Sequence, residues 1–306
     1  KFKPLAVMFS ISGFFGCTIF VQSNQLAQII REYFYNTNGL FQDNIFIGDL
    51  VTGFLVACLV GTVIFGGIKR IAMVASKMVP IMVGVYLIAA IIIIGKNIFI
   101  IPDIFSLIIH DAFSGNAVAG GAIGSMIIIG VRRGLFSNEA GTGTETMAHG
   151  AAKTKEPVRE GLVAMLGPFI DTIIVCSITA IVILISGVYN QDLEGVSMTV
   201  SAFESELGSI GKLVIMVAAL TFSLSTMFGY SYYGRKCTSY LFGTKWKPVY
   251  NYFYVSMIIV ASTIKLDIAI NFMDSAFALM VIPTIISTLL LAPKVLEESR
   301  RYFQGL

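Results

Sequence analysis

The sequence predicts an all-α, polytopic membrane protein, and three observations lead there. Hydrophobic residues make up 56% of the 306 and charged residues only 13%, about half the roughly 25% charged fraction of soluble domains. Mean hydropathy is +0.83, and several windows exceed the ~18 apolar residues that mark a transmembrane helix. The basic residues border those windows instead of interrupting them. The net charge of +3 therefore carries no suggestion of nucleic acid.

Taken in order, the apolar windows give eight spans, near 4–30, 45–67, 77–95, 117–150 (broken), 161–187, 210–233, 249–265 and 270–293. The segment "NIFIIPDIFSLIIHDAF" at 97–113 carries Pro102, Asp103 and Asp111 and is expected to lie in the membrane interface rather than cross it. Charge placement tests the count. With Lys1 on the cytoplasmic side and the spans alternating, fifteen of the 21 lysines and arginines fall inside. Four fall outside (Arg31, Lys96, Lys212 and Lys265), and Arg132 and Arg133 stay unassigned. Such an excess is what the positive-inside rule requires of a correct topology, and it puts both termini in the cytoplasm. The chain opens at Lys1 with no leader pattern, which is read as a chain that had a start removed or belongs to something longer.

The fourth span holds the polar stretch "GVRRGLFSNEAGTGTETMAHG" at 130–150. Entering from outside near Asn116, the chain reaches Arg133 about 25 Å along the helix path. The polar run thus begins within or just below the hydrocarbon core. Gly134, Gly141 and Gly143 lower helix propensity, and Ser137 and Asn138 compete for backbone hydrogen bonds. Backbone freed in lipid persists only where protein or a water-filled cavity satisfies it. A discontinuous helix of this kind is how many secondary transporters hold an ion and a zwitterion. The alternative is an inner loop with a re-entrant edge.

Other polar groups sit inside apolar runs. Asp171, in "GPFIDTIIV", is an intramembrane carboxylate and so a functional candidate; its alternative is a structural ion pair with Arg132 or Arg133. Gln22 lies deep in the first span, where a lone amide bridges helices or meets substrate. "LTFSLSTMFGYSYYG" puts Thr226 and Tyr230 four apart on one helix face. Adjacent Ser225 and Thr226 offer two hydroxyl oxygens to a hard cation, or else bond back to their own helix. Gly120/Gly124 and Gly130/Gly134 have the small-xxx-small spacing of close helix packing. The four cysteines and two histidines are scattered, without zinc or disulfide spacing. "GTGTE" lacks the strand and GK[ST] of a phosphate loop. No nucleophile is paired with a base, so an enzyme is not expected, nor is any cofactor.

At "RRGLFSNEAGTGTETMAHGAAKTKEPVREGLVAMLGPFIDTIIVC" the chain resembles the alanine/glycine:cation symporter family, the sodium:alanine symporters. "GGIKRIAMVASKMVP" at 66–80, "SAFES" at 201–205 and "GYSYYG" at 229–234 extend the resemblance to nearly the whole chain. It implies a LeuT-type inverted-repeat transporter fold, with the eight spans as core helices three to ten, in a single transmembrane domain over 1–306. It implies sodium-coupled uptake of a small neutral amino acid, alanine or glycine, across the cytoplasmic membrane by alternating access, with membrane lipid around it.

By position, the resemblance places Gln22 and Leu26 against substrate from the third core helix, and Gly134, Leu135, Ser137 and Asn138 from the unwound sixth. Thr226 and Tyr230 would close the pocket, and Ser225 with Thr226 would meet sodium. Asp171, Arg133 and Glu139 are left as ion-linked or structural charges. Three departures stand out. Tyr230 replaces the family's usual tryptophan, "GTGTETMAHG" adds Glu145, and the first two core helices have no counterpart ahead of Lys1. That last departure motivates a second expectation, a non-transporting remnant or binding subunit. A third is a proton-coupled amino-acid carrier working through Asp171.

Overall fold

The computed structural model of the chain describes residues 2–113 and 122–304. Lys1, Gly120 and the start of the fourth expected span lie outside them. Among the described residues the chain is helical, and six helices are long and apolar enough to cross a membrane: Lys3–Asn38, Ile45–Ile64, Gly67–Lys96, Pro157–Ser186, Ser209–Phe242 and Leu266–Gln304. A seventh expected span is the 17-residue helix Lys247–Thr263. The broken span is represented by Ala122–Ser137, 16 residues, and the short helix Glu145–His149. Ile101–Ala112, with 12 residues, reaches only about 18 Å. It is too short to cross, as its single proline, Pro102, and its two aspartates suggest.

We label the helices used below α1 (Lys3–Gly16), α2 (Phe20–Ile30), α3 (Ile45–Ile64), α4 (Gly67–Lys96), α5 (Ile101–Ala112), α6 (Ala122–Ser137), α7 (Ser177–Ser186), α8 (Val196–Leu207), α9 (Ser209–Phe242), α10 (Lys247–Thr263) and α11 (Leu266–Gln304). Local chemistry explains their ends. The Asn44 side chain accepts from the Ile47 N–H and caps α3. Gly187, at φ +70°, closes α7 in the left-handed region that glycine adopts freely. The charges Lys69, Arg70 and Lys77, expected before the third span, are instead inside α4. A helix that outruns the hydrocarbon carries its lysines into the headgroups at no penalty.

The helices form two compact units. The first comprises Lys1–Val83, Thr142–Ala152 and Met216–Leu306. Its helices approach where side chains are small. A Cβ on Gly53 of α3 would stand 3.1 Å from the Ile259 backbone of α10, and one on Gly16 of α1 would stand 3.2 Å from Ala276 of α11. Ser23 of α2 donates to the Ile258 carbonyl of α10 at 2.7 Å, and Asn24 donates to that of Ile264 at 2.5 Å. Tyr250, Tyr254, Phe228 and Met280 are wholly buried there. Both tyrosine hydroxyls find carbonyls, Tyr250 that of Phe14 at 3.4 Å and Tyr254 that of Met227 at 2.6 Å.

The second unit comprises Gly84–Gly141 and Lys153–Ile215. Tyr86 of α4 is hydrogen-bonded to Thr179 of α7 and packs its ring 5.6 Å from that of Phe203 on α8. At one end Asn97 donates to the Glu206 carboxylate at 2.8 Å while Lys96 donates to its carbonyl at 3.0 Å. Gly130 and Gly134, expected at a tight helix contact, have open space where a Cβ would stand.

Candidate functional site

Candidate residues occur in both units. In the first unit, the opening span is not the continuous helix that its apolar run suggests. It breaks at Cys17–Ile19, between α1 and α2. Thr18 turns its hydroxyl back to the Phe15 carbonyl at 2.5 Å, giving that carbonyl a partner other than the next helical turn. The break is sealed in protein, with Cys17, Thr18 and Ile19 all buried. A new helix N-terminus therefore begins inside the apolar run, with its free N–H groups and positive dipole end.

Gln22 sits in the first turn of that new helix. Its Oε1 is buried without a hydrogen-bond partner, at a cost of about 1–3 kcal/mol. Leu26, one turn on, is buried. On α9, Tyr230 is buried and meets Phe277 edge-on at 6.4 Å. Phe277 in turn abuts Gly16, beside the break, at 3.3 Å from its ideal Cβ. One aromatic ring thus lies between the break in the first span and the α9 face that carries Thr226 and Tyr230. Ser225 donates to the Phe222 carbonyl at 2.9 Å, the self-bonding alternative; its oxygen keeps lone pairs for a further partner. Thr226 is half-buried.

The second unit holds the other candidates. Pro168 lies within the Pro157–Ser186 span and has no N–H to give the preceding turn. Directly after it, Phe169–Cys176 winds as a π-helix, the wider turn that recurs at functional sites. That turn carries Asp171. The Ser137 hydroxyl, at the end of α6, donates to Asp171 Oδ2 at 2.6 Å. The Thr172 hydroxyl donates to the same oxygen at 3.3 Å, and Asn138 Nδ2 donates to Thr172 Oγ1 at 3.2 Å. The hydrogen-bond partners of Asp171 are therefore hydroxyls rather than Arg132 or Arg133. Glu139 follows at φ +61°, a conformation that is costly for a residue with a Cβ and concentrates at functional sites. Leu135 and Arg133 are exposed, and Leu135 crowds Gly141, at 2.9 Å from its ideal Cβ.

Beyond Gly141 the chain returns to the first unit. Thr142 and Thr144 are buried with their hydroxyls 3.0 Å apart, and Thr284 of α11 donates to the Thr142 carbonyl at 3.1 Å. The sequence reading missed this anchor, along with Asp49, a buried carboxylate on α3 paired with Arg31. An acidic residue five positions into an apolar helix was the available signal.

Apolar spans interrupted by polar turns, with a carboxylate and an unpaired amide inside them, define a polytopic membrane protein of the secondary-transporter class. The comparison with known families agrees. The chain belongs to the sodium:alanine symporter family, whose model matches residues 1–306. It is 38% identical over 312 residues to an uncharacterized transporter of Haemophilus influenzae, covering 99% of this chain and 66% of that protein. It is 37% identical over 307 residues to the sodium/alanine symporter AgcS of Methanococcus maripaludis, covering 98% of this chain and 65% of that one. A sodium/proton-dependent alanine carrier protein of Bacillus sp. PS3 is 35% identical over 258 residues, 79% of this chain and 55% of its own length. The chain thus spans about two thirds of the length of the first two relatives.

Proposed function

We propose that this chain supplies the substrate and ion site of a symporter that carries a small neutral amino acid, alanine or glycine, into the cell with sodium. The reading places it in the cytoplasmic membrane with both termini inside, as core helices three to ten of a LeuT-type inverted-repeat fold working by alternating access. The observation that carries it is the break at Cys17–Ile19, which sets a helix N-terminus beside the unpaired Oε1 of Gln22. The N-terminus attracts a carboxylate, and the amide oxygen accepts from an ammonium group. Together they complement a zwitterion. Sodium with alanine is favoured by the name of the Methanococcus relative.

A proton-coupled second reading draws on the Asp171 carboxylate and on the name of the Bacillus relative. Binding of radiolabelled alanine to the purified chain in detergent, in sodium and in choline, tests both. Sodium-dependent binding is expected, with affinity falling about tenfold or more in Gln22→Ala. Wild-type affinity in that variant removes Gln22 from the site, and uptake in vesicles that follows a pH gradient without sodium establishes the second reading instead.

A further inference from the structure

We propose that the groove between α3 and α10, with Arg70 at its mouth, holds one anionic phospholipid, its phosphate on the Arg70 guanidinium and an acyl chain along the groove floor. The groove lies wholly within the first unit and encloses about 630 Å³. Phe54 and Phe65 line it from one helix, Val255 and Ile259 from the other, and the buried Ala57 and Gly61 make its floor. A Cβ on Gly61 would meet only the ring of Phe65, at 3.8 Å, so the floor is open where a side chain would otherwise fill it.

The dimensions fit one lipid chain. From Phe54 to Phe65 the groove runs roughly 16 Å along the helix, the depth of one leaflet of a hydrocarbon core ~30 Å thick. α3 has 20 residues and itself covers about 30 Å, so its end at Ile64 and the Arg70 that follows stand at headgroup level. Aromatic residues mark the same level, as they do at membrane interfaces. Tyr252 pairs with Phe65 at 5.1 Å, and Trp246 is exposed just before α10.

Local chemistry aims Arg70 into this mouth. The N–H groups of Phe65 and Gly66 go to the Gly61 and Val63 carbonyls, which leaves the Thr62 carbonyl at the end of α3 without a backbone donor. Arg70 Nη1 donates to it at 2.7 Å. The side chain lies across Gly66, where a Cβ would stand 2.5 Å from Arg70 Cδ. One of five guanidinium donors thus holds the head in place, and the others are left for an acceptor at the mouth. An arginine that only snorkelled would turn out to water instead.

No acid of the chain answers this cation. None lies between Asp49 and Asp103 or between Glu206 and Asp267, and among the described residues Arg70 has no carboxylate partner. Lys69, Lys245 and Lys247 fall at the same end. The counter-charge is therefore left to the bilayer. This is the end that the charge count assigns to the cytoplasm, where anionic lipids concentrate. A guanidinium matches phosphate bidentately, whereas a zwitterionic headgroup would bring its own cation up to these lysines.

The test is thermal unfolding of the purified chain in neutral detergent, titrated with phosphatidylglycerol, phosphatidylcholine or glycerol phosphate. Phosphatidylglycerol is expected to raise the unfolding midpoint, with half-effect at a concentration about tenfold below that of phosphatidylcholine. Arg70→Gln should raise the phosphatidylglycerol half-effect about tenfold, and Arg70→Lys about threefold. Gly61→Leu, which fills the open floor, should also raise it about tenfold. Arg70 is exposed, so Arg70→Gln reports on the site even where Gly61→Leu does not fold. Equal half-effects for the two lipids, or the wild-type half-effect in Arg70→Gln or in folded Gly61→Leu, would overturn the proposal. Glycerol phosphate as effective as the lipid would overturn it in favour of a free-anion site. A dimer that Gly61→Leu dissociates, with no preference between the lipids, would overturn it in favour of a second copy in the groove.

Discussion

Removing Arg31 should destabilise the protein more than neutralising its partner Asp49. Arg31 and Tyr35 stand at the two ends of a π-turn, Arg31–Tyr35, and meet Asp49 and Thr52 on α3. Arg31 Nη1 pairs with Asp49 Oδ2, and Tyr35 shares a hydrogen bond with Thr52 at 2.9 Å. The pair is lopsided. The Asp49 side chain is 9% exposed and that of Arg31 is 30% exposed, while Asp49 Oδ1 is buried with no partner at all. Arg31→Met therefore strands a carboxylate in apolar surroundings, at a cost of about 3–5 kcal/mol. In a chain of this size that loss lowers the unfolding midpoint by roughly 10 °C. Asp49→Asn keeps an acceptor for Arg31, whose head has water within reach, and should cost about 1 kcal/mol. The double variant Arg31→Met/Asp49→Leu removes both charges and should recover most of the loss. Midpoints from size-exclusion of heated detergent samples give the order. An Arg31→Met no worse than Asp49→Asn would refute the reasoning, because it would mean that water reaches the carboxylate.

Two further outcomes test the packing. A Cβ on Gly234 would lie 1.8 Å from the Tyr250 hydroxyl, which itself donates to the Phe14 carbonyl; Gly234→Ala should cost about 1–3 kcal/mol by overpacking, and Tyr250→Phe in the same chain should restore part of it. Gly143 has φ +80°, and an added Cβ would lie 2.5 Å from Thr284 Oγ1. Gly143→Ala should therefore loosen the Thr142 anchor, read as faster proteolysis within 142–152, whereas Gly134→Ala, in open space, should leave cleavage there unchanged.

Hydropathy made the spans legible because lipid imposes length and composition on any helix that crosses it. The expected 45–67 and 161–187 correspond to Ile45–Ile64 and Pro157–Ser186 within a few residues. Interruptions inside a span leave a weaker trace. "GCTIF" has no proline, and nothing in its periodicity announces the break at Cys17–Ile19. The cause is tertiary: Gly16 is pressed by Ala276, Phe277 and Met280 of α11, and the Thr18 hydroxyl takes the Phe15 carbonyl. The π-turn had a local cue in Pro168, but a proline says only that a ladder bond is missing, not that the chain will widen to recover it.

The candidate site was legible as residue types rather than as partners. "FSNEAG" marked a helix end, Asp171 marked an intramembrane carboxylate, and both sequence and structure make them worth testing. Which group answers Asp171 was beyond the sequence, since Ser137 lies 34 positions away and the nearby arginines had the stronger charge. A guanidinium beside the carboxylate would leave the pair neutral and closed. Two hydroxyls satisfy Asp171 Oδ2 without bringing a charge of their own.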